Sequence, residues 1–222
     1  MMLKSAIVVC VAIMMGTTVA NFVAPAFYKG LEGPKFTVLK KIGDNIELRR
    51  YEPGSWVSVQ RSGMQLDSAM SGTFMKLFGY ISGGNAAGAK IEMTAPVLTK
   101  VVPGQGPTCE SQFTMSFYNP WKYQSNAAAP KPTAAGVVLT DMPALDVYVI
   151  SFGGWANEAA YKQYAARLMQ KLKDEKLAFD SSYWFTAGYD SPYNMDNRHN
   201  EVWVPAAAPK VGASSSKPAA SG

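Results

Sequence analysis

The sequence predicts an α+β fold in which two similar halves share one core. Three observations carry this. Short segments alternate apolar and polar residues, as half-buried strands do. Two longer segments place apolar residues at helical spacing, 66–81 and 158–176. The order strand-strand-helix-strand-strand occurs twice. Each half is then a four-stranded antiparallel unit with one apolar face. The two faces pack against one another or the strands curl together into a barrel.

Near the start of the 222-residue chain, Lys4 is followed by an apolar run, Ser5 to Met15. Thr18 and Ala20 fit the −3 and −1 positions of a cleavage site, so residues 1–20 read as a secretory signal peptide. The run is shorter than the roughly 20 residues that span a bilayer. An uncleaved anchor or a buried N-terminal helix are the plainer alternatives. The reading makes the protein secreted and extracellular, with no stable membrane anchor. Cleavage removes Lys4 and no acid, so the formal charge falls from +5 to +4. Lys40-Lys41 and Arg49-Arg50 are the basic doublets of the folded part, and no polybasic run points to nucleic acid. Cys10 leaves with the signal. Cys109 then has no intramolecular partner and reads as a half-buried, inert thiol, with an intermolecular disulfide as the sharper alternative.

The remaining segment 21–205 forms one domain. Phe36–Leu39 and Ile46–Tyr51 are strands, Pro53-Gly54 a turn, and Trp56–Val59 the returning strand. Asp67 can cap the first helix, with Leu66 as a staple. Met70, Phe74, Leu77, Phe78 and Ile81 make its apolar face, and Gly83-Gly84 ends it. Ile91–Val102 and Gln112–Tyr118 are strands. Pro96 cannot donate a ladder hydrogen bond, so the first of these is an edge or bulges there. The Ala/Pro-rich stretch 126–132 is a loop.

In the second half, Val137–Thr140, the Met142-Pro143 turn and Asp146–Phe152 precede a helix capped by Asn157. Its apolar stripe is Tyr161, Ala165, Leu168 and Leu172, opposite Lys162, Arg167, Lys171 and Lys173, and Lys176 ends it near the negative dipole end. Tyr183–Thr186 and Glu201–Val204 close the set. From Ala206 to Gly222 the chain is Ala, Pro, Ser, Lys and Gly without apolar period, the composition of a disordered tail.

Chemistry-bearing residues are sparse. His199 is the sole histidine, and there is no Cys-x-x-Cys, no phosphate loop after a strand and no carboxylate pair on one predicted face. Catalysis lacks an activated nucleophile or titratable pair, and an all-histidine metal site is excluded by count. Met70, Phe74 and Phe78 on the first helix, with Lys76 a short turn away, form an apolar wall with a basic neighbour. On composition alone that wall is plain core packing.

Four motifs change its meaning. Tyr80-Ile81-Ser82-Gly83 with Met93-Thr94-Ala95-Pro96-Val97, then Val102-Pro103-Gly104-Gln105-Gly106-Pro107, Thr186-Ala187-Gly188-Tyr189 and Asn200-Glu201-Val202-Trp203 resemble, in order, those of the SOUL or heme-binding protein family. The likeness covers Phe36 to Val204. It implies a distorted antiparallel β-barrel flanked by two helices, and a heme or other porphyrin held non-covalently in a hydrophobic groove beside the first helix. In one member of the family, a histidine proposed as axial ligand falls in the strand matching Glu47–Tyr51. Here that position is Arg50, which stays protonated and cannot ligate iron. The expected site therefore has Met70, Phe74 and Phe78 as wall, Lys76 and Arg50 for the propionates, and no axial histidine. His199 reads as an exposed turn residue. A segment matching Leu168–Phe179 resembles a death-regulator helix in one member, but its amphipathic pattern here says it is packed. The expected function is a secreted tetrapyrrole carrier, scavenger or buffer. The alternative is a secreted matrix-associated or protein-interaction module of the same fold, working through the Asn157–Lys176 helix.

Overall fold

Apolar alternation resolves into nine strands: β1 (Phe36–Gly43), β2 (Ile46–Tyr51), β3 (Gly54–Gly63), β4 (Val97–Val102), β5 (Ser111–Tyr118), β6 (Val137–Met142), β7 (Leu145–Phe152), β8 (Trp184–Gly188) and β9 (Asn200–Pro205). The helices are α1 (Leu66–Met70), α2 (Thr73–Ile81) and α3 (Glu158–Asp174). They come from a computed structural model that describes residues 22–106, 108–124 and 128–207. The expected signal peptide, 1–20, and most of the expected tail from 206 onward lie outside the described residues.

The strands form one antiparallel sheet in the order β1-β2-β7-β9-β8-β4-β5-β3-β6. The sheet is symmetric about the β4·β8 seam, where Val97 faces Gly188 and Val101 faces Trp184. On one side lie β4, β5 and β3; on the other β8, β9 and β7. The first strand of each half crosses over. β2 pairs with β7 of the second half, Ile46 opposite Ile150 and Tyr51 opposite Leu145. β6 pairs with β3 of the first, Val59 opposite Val137 and Gly54 opposite Met142. Strand-strand-helix-strand-strand twice is thus present, with β1 added at the edge.

Three features differ from the expectation. Pro53-Gly54 and Met142-Pro143 are corners, because the strands on either side of each belong to opposite ends of the sheet. The barrel is not closed: β1 and β6 are the two edges and do not pair with one another. β1 carries exposed Lys40 and Lys41, a charged edge that discourages further pairing. Pro96 marks no edge either. β4 starts after it, at Val97, and runs between β5 and β8 in the middle of the sheet. The stretch before it is held by other means, with Thr94 Oγ1 donating to the Tyr118 carbonyl (2.7 Å).

One face of the sheet carries the helices. Ala165, Leu168 and Leu172 of α3 pack with Ile150, Trp184 and Val202. Leu77, Tyr80 and Ile81 of α2 pack with Val57, Val59 and Phe117. The other face holds Tyr51, Trp56, Leu98, Val147, Phe185 and Trp203, together with the fully buried Tyr28 from the segment before β1. α3 keeps its expected cap, Asn157 Oδ1 accepting from the Ala160 N–H at 2.9 Å. The first helix differs from the expectation. It breaks at Ser71-Gly72, with Gly72 at φ +71°, a conformation that glycine alone adopts without cost. Asp67 is not its N-cap but lies inside α1, whose first turn is capped from outside: the Glu158 carboxylate accepts from the Asp67 N–H (3.3 Å).

Candidate functional site: an apolar cavity backed by a buried carboxylate

The break after α1 sets the phase of α2. Leu77, Tyr80 and Ile81 enter the core, while Phe74, Met75 and Phe78 are left on the outward side, Met75 at 63% exposure and Phe78 at 42%. Phe74 and Phe78 stack, centroids 6.1 Å apart and planes 14° from parallel, and Phe74 sets its edge on Phe117 at 5.2 Å. Facing them are Leu31, Met93 and Val97, and the loop that follows β8, Gly188 to Tyr193. Together these enclose a cavity of about 570 Å³. That lies within the range of small-molecule and cofactor sites, which are mostly apolar with a few placed polar groups.

The loop is pinned. Its Asp190 carboxylate pairs with Lys29 and accepts from Asn194 and from the His199 N–H. Arg198 donates to the Ser191 and Asn194 carbonyls at 2.8 and 2.7 Å, and its guanidinium lies over the Trp155 ring. Burial pushes the Asp190 carboxyl up; the Lys29, His199 and Asn194 contacts outweigh it and hold the group below the usual carboxylate range.

Behind the cavity wall sits a residue that motif spacing does not single out as chemistry. Glu201 has no exposed surface. Its Oε2 accepts from the Tyr189 hydroxyl (2.6 Å) and Trp203 Nε1 (2.8 Å). Its Oε1 meets Arg49 Nη1 (2.9 Å) and His199 Nε2 (2.8 Å). Burial alone would raise its pKa; the Arg49 charge and the donors reverse this and bring it down to about 2. Arg49 in turn donates to Glu47 and lies over the Phe36 ring at 4.5 Å. His199 stacks on Phe27, centroids 4.2 Å apart. It is part of this cluster, not the exposed turn residue that the sequence suggests. A buried anion with four donors is a brace: it ties β2, β9 and the end of β8 behind the Tyr189 ring that lines the cavity.

Of the sequence-predicted residues, Phe74 and Phe78 line this cavity. Met70 belongs to α1, before the break, and packs against the core clusters instead. Lys76 is exposed on α2 beside Met75, outside the lining. Arg50 is on β2, exposed, and bound through Nε and Nη2 to both oxygens of Asp146 at 2.7 Å; it does not reach the cavity. Leu31, Met75, Met93, Val97, Tyr189 and Tyr193 join the lining, and helical spacing marks none of them. Met93, Val97 and Tyr189 do fall in the four motifs. Cys109 is exposed rather than half-buried. Among the described residues no three His, Cys, Asp or Glu side chains gather in a way that could hold a metal ion, and no helix is long and apolar enough to cross a membrane.

Residues 31–205 match a family profile described as SOUL heme-binding protein. The chain is 39% identical to human heme-binding protein 2 over 158 residues, 71% of this chain and 76% of that one. It is 32% identical to heme-binding protein 1 of Xenopus laevis over 172 residues, 78% and 89% of the two. Among solved structures, the EcmrR C-terminal domain superposes with a TM-score of 0.55 at 11% identity, covering 72% of this chain and 95% of that one, a likeness of fold.

Proposed function

The chain belongs to the SOUL heme-binding protein family, and from that premise we propose that it binds heme or a related porphyrin non-covalently in the cavity between α2 and the Gly188–Tyr193 loop. The observation that supports this is the outward side of α2. Phe74, Met75 and Phe78 are apolar and lie against a cavity of about 570 Å³; Phe74 is half-buried on Phe117, while Met75 and Phe78 stay exposed among the described residues. A flat apolar macrocycle fits such a slot, and burying its faces at roughly 25 cal/mol per Å², less the costs of association, supplies most of the affinity. Lys76, exposed next to Met75 on α2 but outside the lining, is assigned the propionates, which its long side chain would reach to make charge-assisted hydrogen bonds. Arg50 is assigned no such part, since Asp146 holds its guanidinium. No histidine lines the cavity, and His199 is engaged by Glu201 and Phe27, so no axial histidine is assigned. The binding serves a secreted carrier, scavenger or buffer, a placement that rests on the composition of residues 1–20. The interaction reading through α3 has less support, because Leu168 and Leu172 are fully buried against the sheet.

A titration of the full-length protein with hemin and with free-base protoporphyrin, followed at the Soret band, tests this. Both should bind in the micromolar range. Phe74→Ala with Phe78→Ala should weaken both by about tenfold or more, because the two rings no longer shield the macrocycle from water. Absence of any porphyrin binding would refute the proposal.

A further inference from the structure

Resting on the heme reading above, the geometry points to the Tyr193 phenolate as the axial ligand of ferric iron in this cavity. The cavity lining offers four side chains with atoms that ligate heme iron: the thioethers of Met75 and Met93 and the phenols of Tyr189 and Tyr193. Tyr189 is already engaged. Its hydroxyl donates to Glu201 at 2.6 Å, and burial together with the Glu201 charge pushes its pKa well up and away from the phenolate. The thioethers are soft donors that suit ferrous iron; a phenolate is a hard anion that suits ferric.

Tyr193 stands differently from every other member of the wall. The residue is 91% exposed, although it lines an apolar cavity. Its backbone N–H is held by Ser191 Oγ, but its hydroxyl has no partner among the described residues. The segment that carries it is not loose. Asp190, Ser191 and Asn194 on either side are fixed by Lys29, His199 and Arg198. A large aromatic at the mouth of an apolar slot, on an anchored loop, is placed to meet a macrocycle that enters the slot. Ligation forms one oxygen–iron bond, releases the phenolic proton to solvent and changes no oxidation state.

The test compares the full chain with Tyr193→Phe and Met75→Leu, using hemin and free-base protoporphyrin as probes. The ferric complex of the unaltered protein should show iron–phenolate vibrations in resonance Raman spectra. Tyr193→Phe should abolish them and weaken hemin by at least the roughly tenfold that even outer-sphere changes cost metal sites, leaving free-base protoporphyrin binding and the melting temperature unchanged. Met75→Leu should leave the phenolate bands in place. Bands and hemin affinity unchanged in Tyr193→Phe, or bands abolished in Met75→Leu, would overturn the assignment. Free-base binding without phenolate bands in the unaltered protein would overturn the ligand and leave the heme reading standing. No binding of either porphyrin would overturn both.

Discussion

Glu201 shows what a single residue does when its surroundings are complete. Breaking one partner of a buried ion pair costs about 3–5 kcal/mol, because the other charge stays buried and unpaired. Glu201→Gln would leave the buried Arg49 with Glu47 as its remaining carboxylate partner, so its urea midpoint should fall by an amount at the lower end of that range, about 3 kcal/mol. The carboxyl's pKa is near 2 in the folded protein against an ordinary 4.5. Its contribution is therefore fully present above about pH 4.5 and is lost as the pH falls from there toward 2. Acid titrations of stability should show the unaltered protein losing more across that window than Glu201→Gln does; equal slopes would contradict the assignment. Little of this was legible in the chain. Period two puts His199, Glu201 and Trp203 on one strand face, and that signal was available. Arg49 lies 152 residues away from Glu201, a separation no local pattern bridges.

At the scale of the element, α3 was readable because cap, stripe and basic last turn all agree. The first helix was half readable. Spacing identifies Leu77 and Ile81 as core, yet it runs through Ser71-Gly72 as though the helix continued, and so assigns Met70 to the same wall as Phe74. The left-handed Gly72 is what separates them. A residue with a Cβ there costs about 1–2 kcal/mol in backbone energy. A Cβ at Gly72 would meet no atom within 4 Å, so the cost is conformational and not a clash. Gly72→Ala should lower stability by roughly that amount in thermal melts. It should also weaken porphyrin binding, since turning α2 moves Phe74 and Phe78; a neutral effect on both would show that the break is incidental.

For the whole molecule, element order was legible and sheet order was not. Proline and glycine at Pro53-Gly54 and Met142-Pro143 signal a change of direction, and such signals do not name the strand that will be met next. Only the finished sheet shows that β2 and β6 are exchanged between the halves. This makes the halves interdependent. Residues 36–120 alone leave β2 without β7 and β3 without β6, and α2 alone cannot cover what is exposed. Expressed separately, that segment should aggregate or stay molten by circular dichroism and size exclusion. A monomeric half with a cooperative melt would contradict the interdependence.

The exchange of β2 also bears on how the protein is made. Arg50 and Asp146, paired across β2 and β7, are 96 residues apart. At roughly 5–20 residues per second, a ribosome needs about 5–20 s to supply the second after the first. For that interval β2 has β1 on one side and nothing on the other, with Ile46, Leu48 and Tyr51 uncovered. The nascent chain is most prone to stick to its neighbours then, and that is when a holding chaperone has the most to protect.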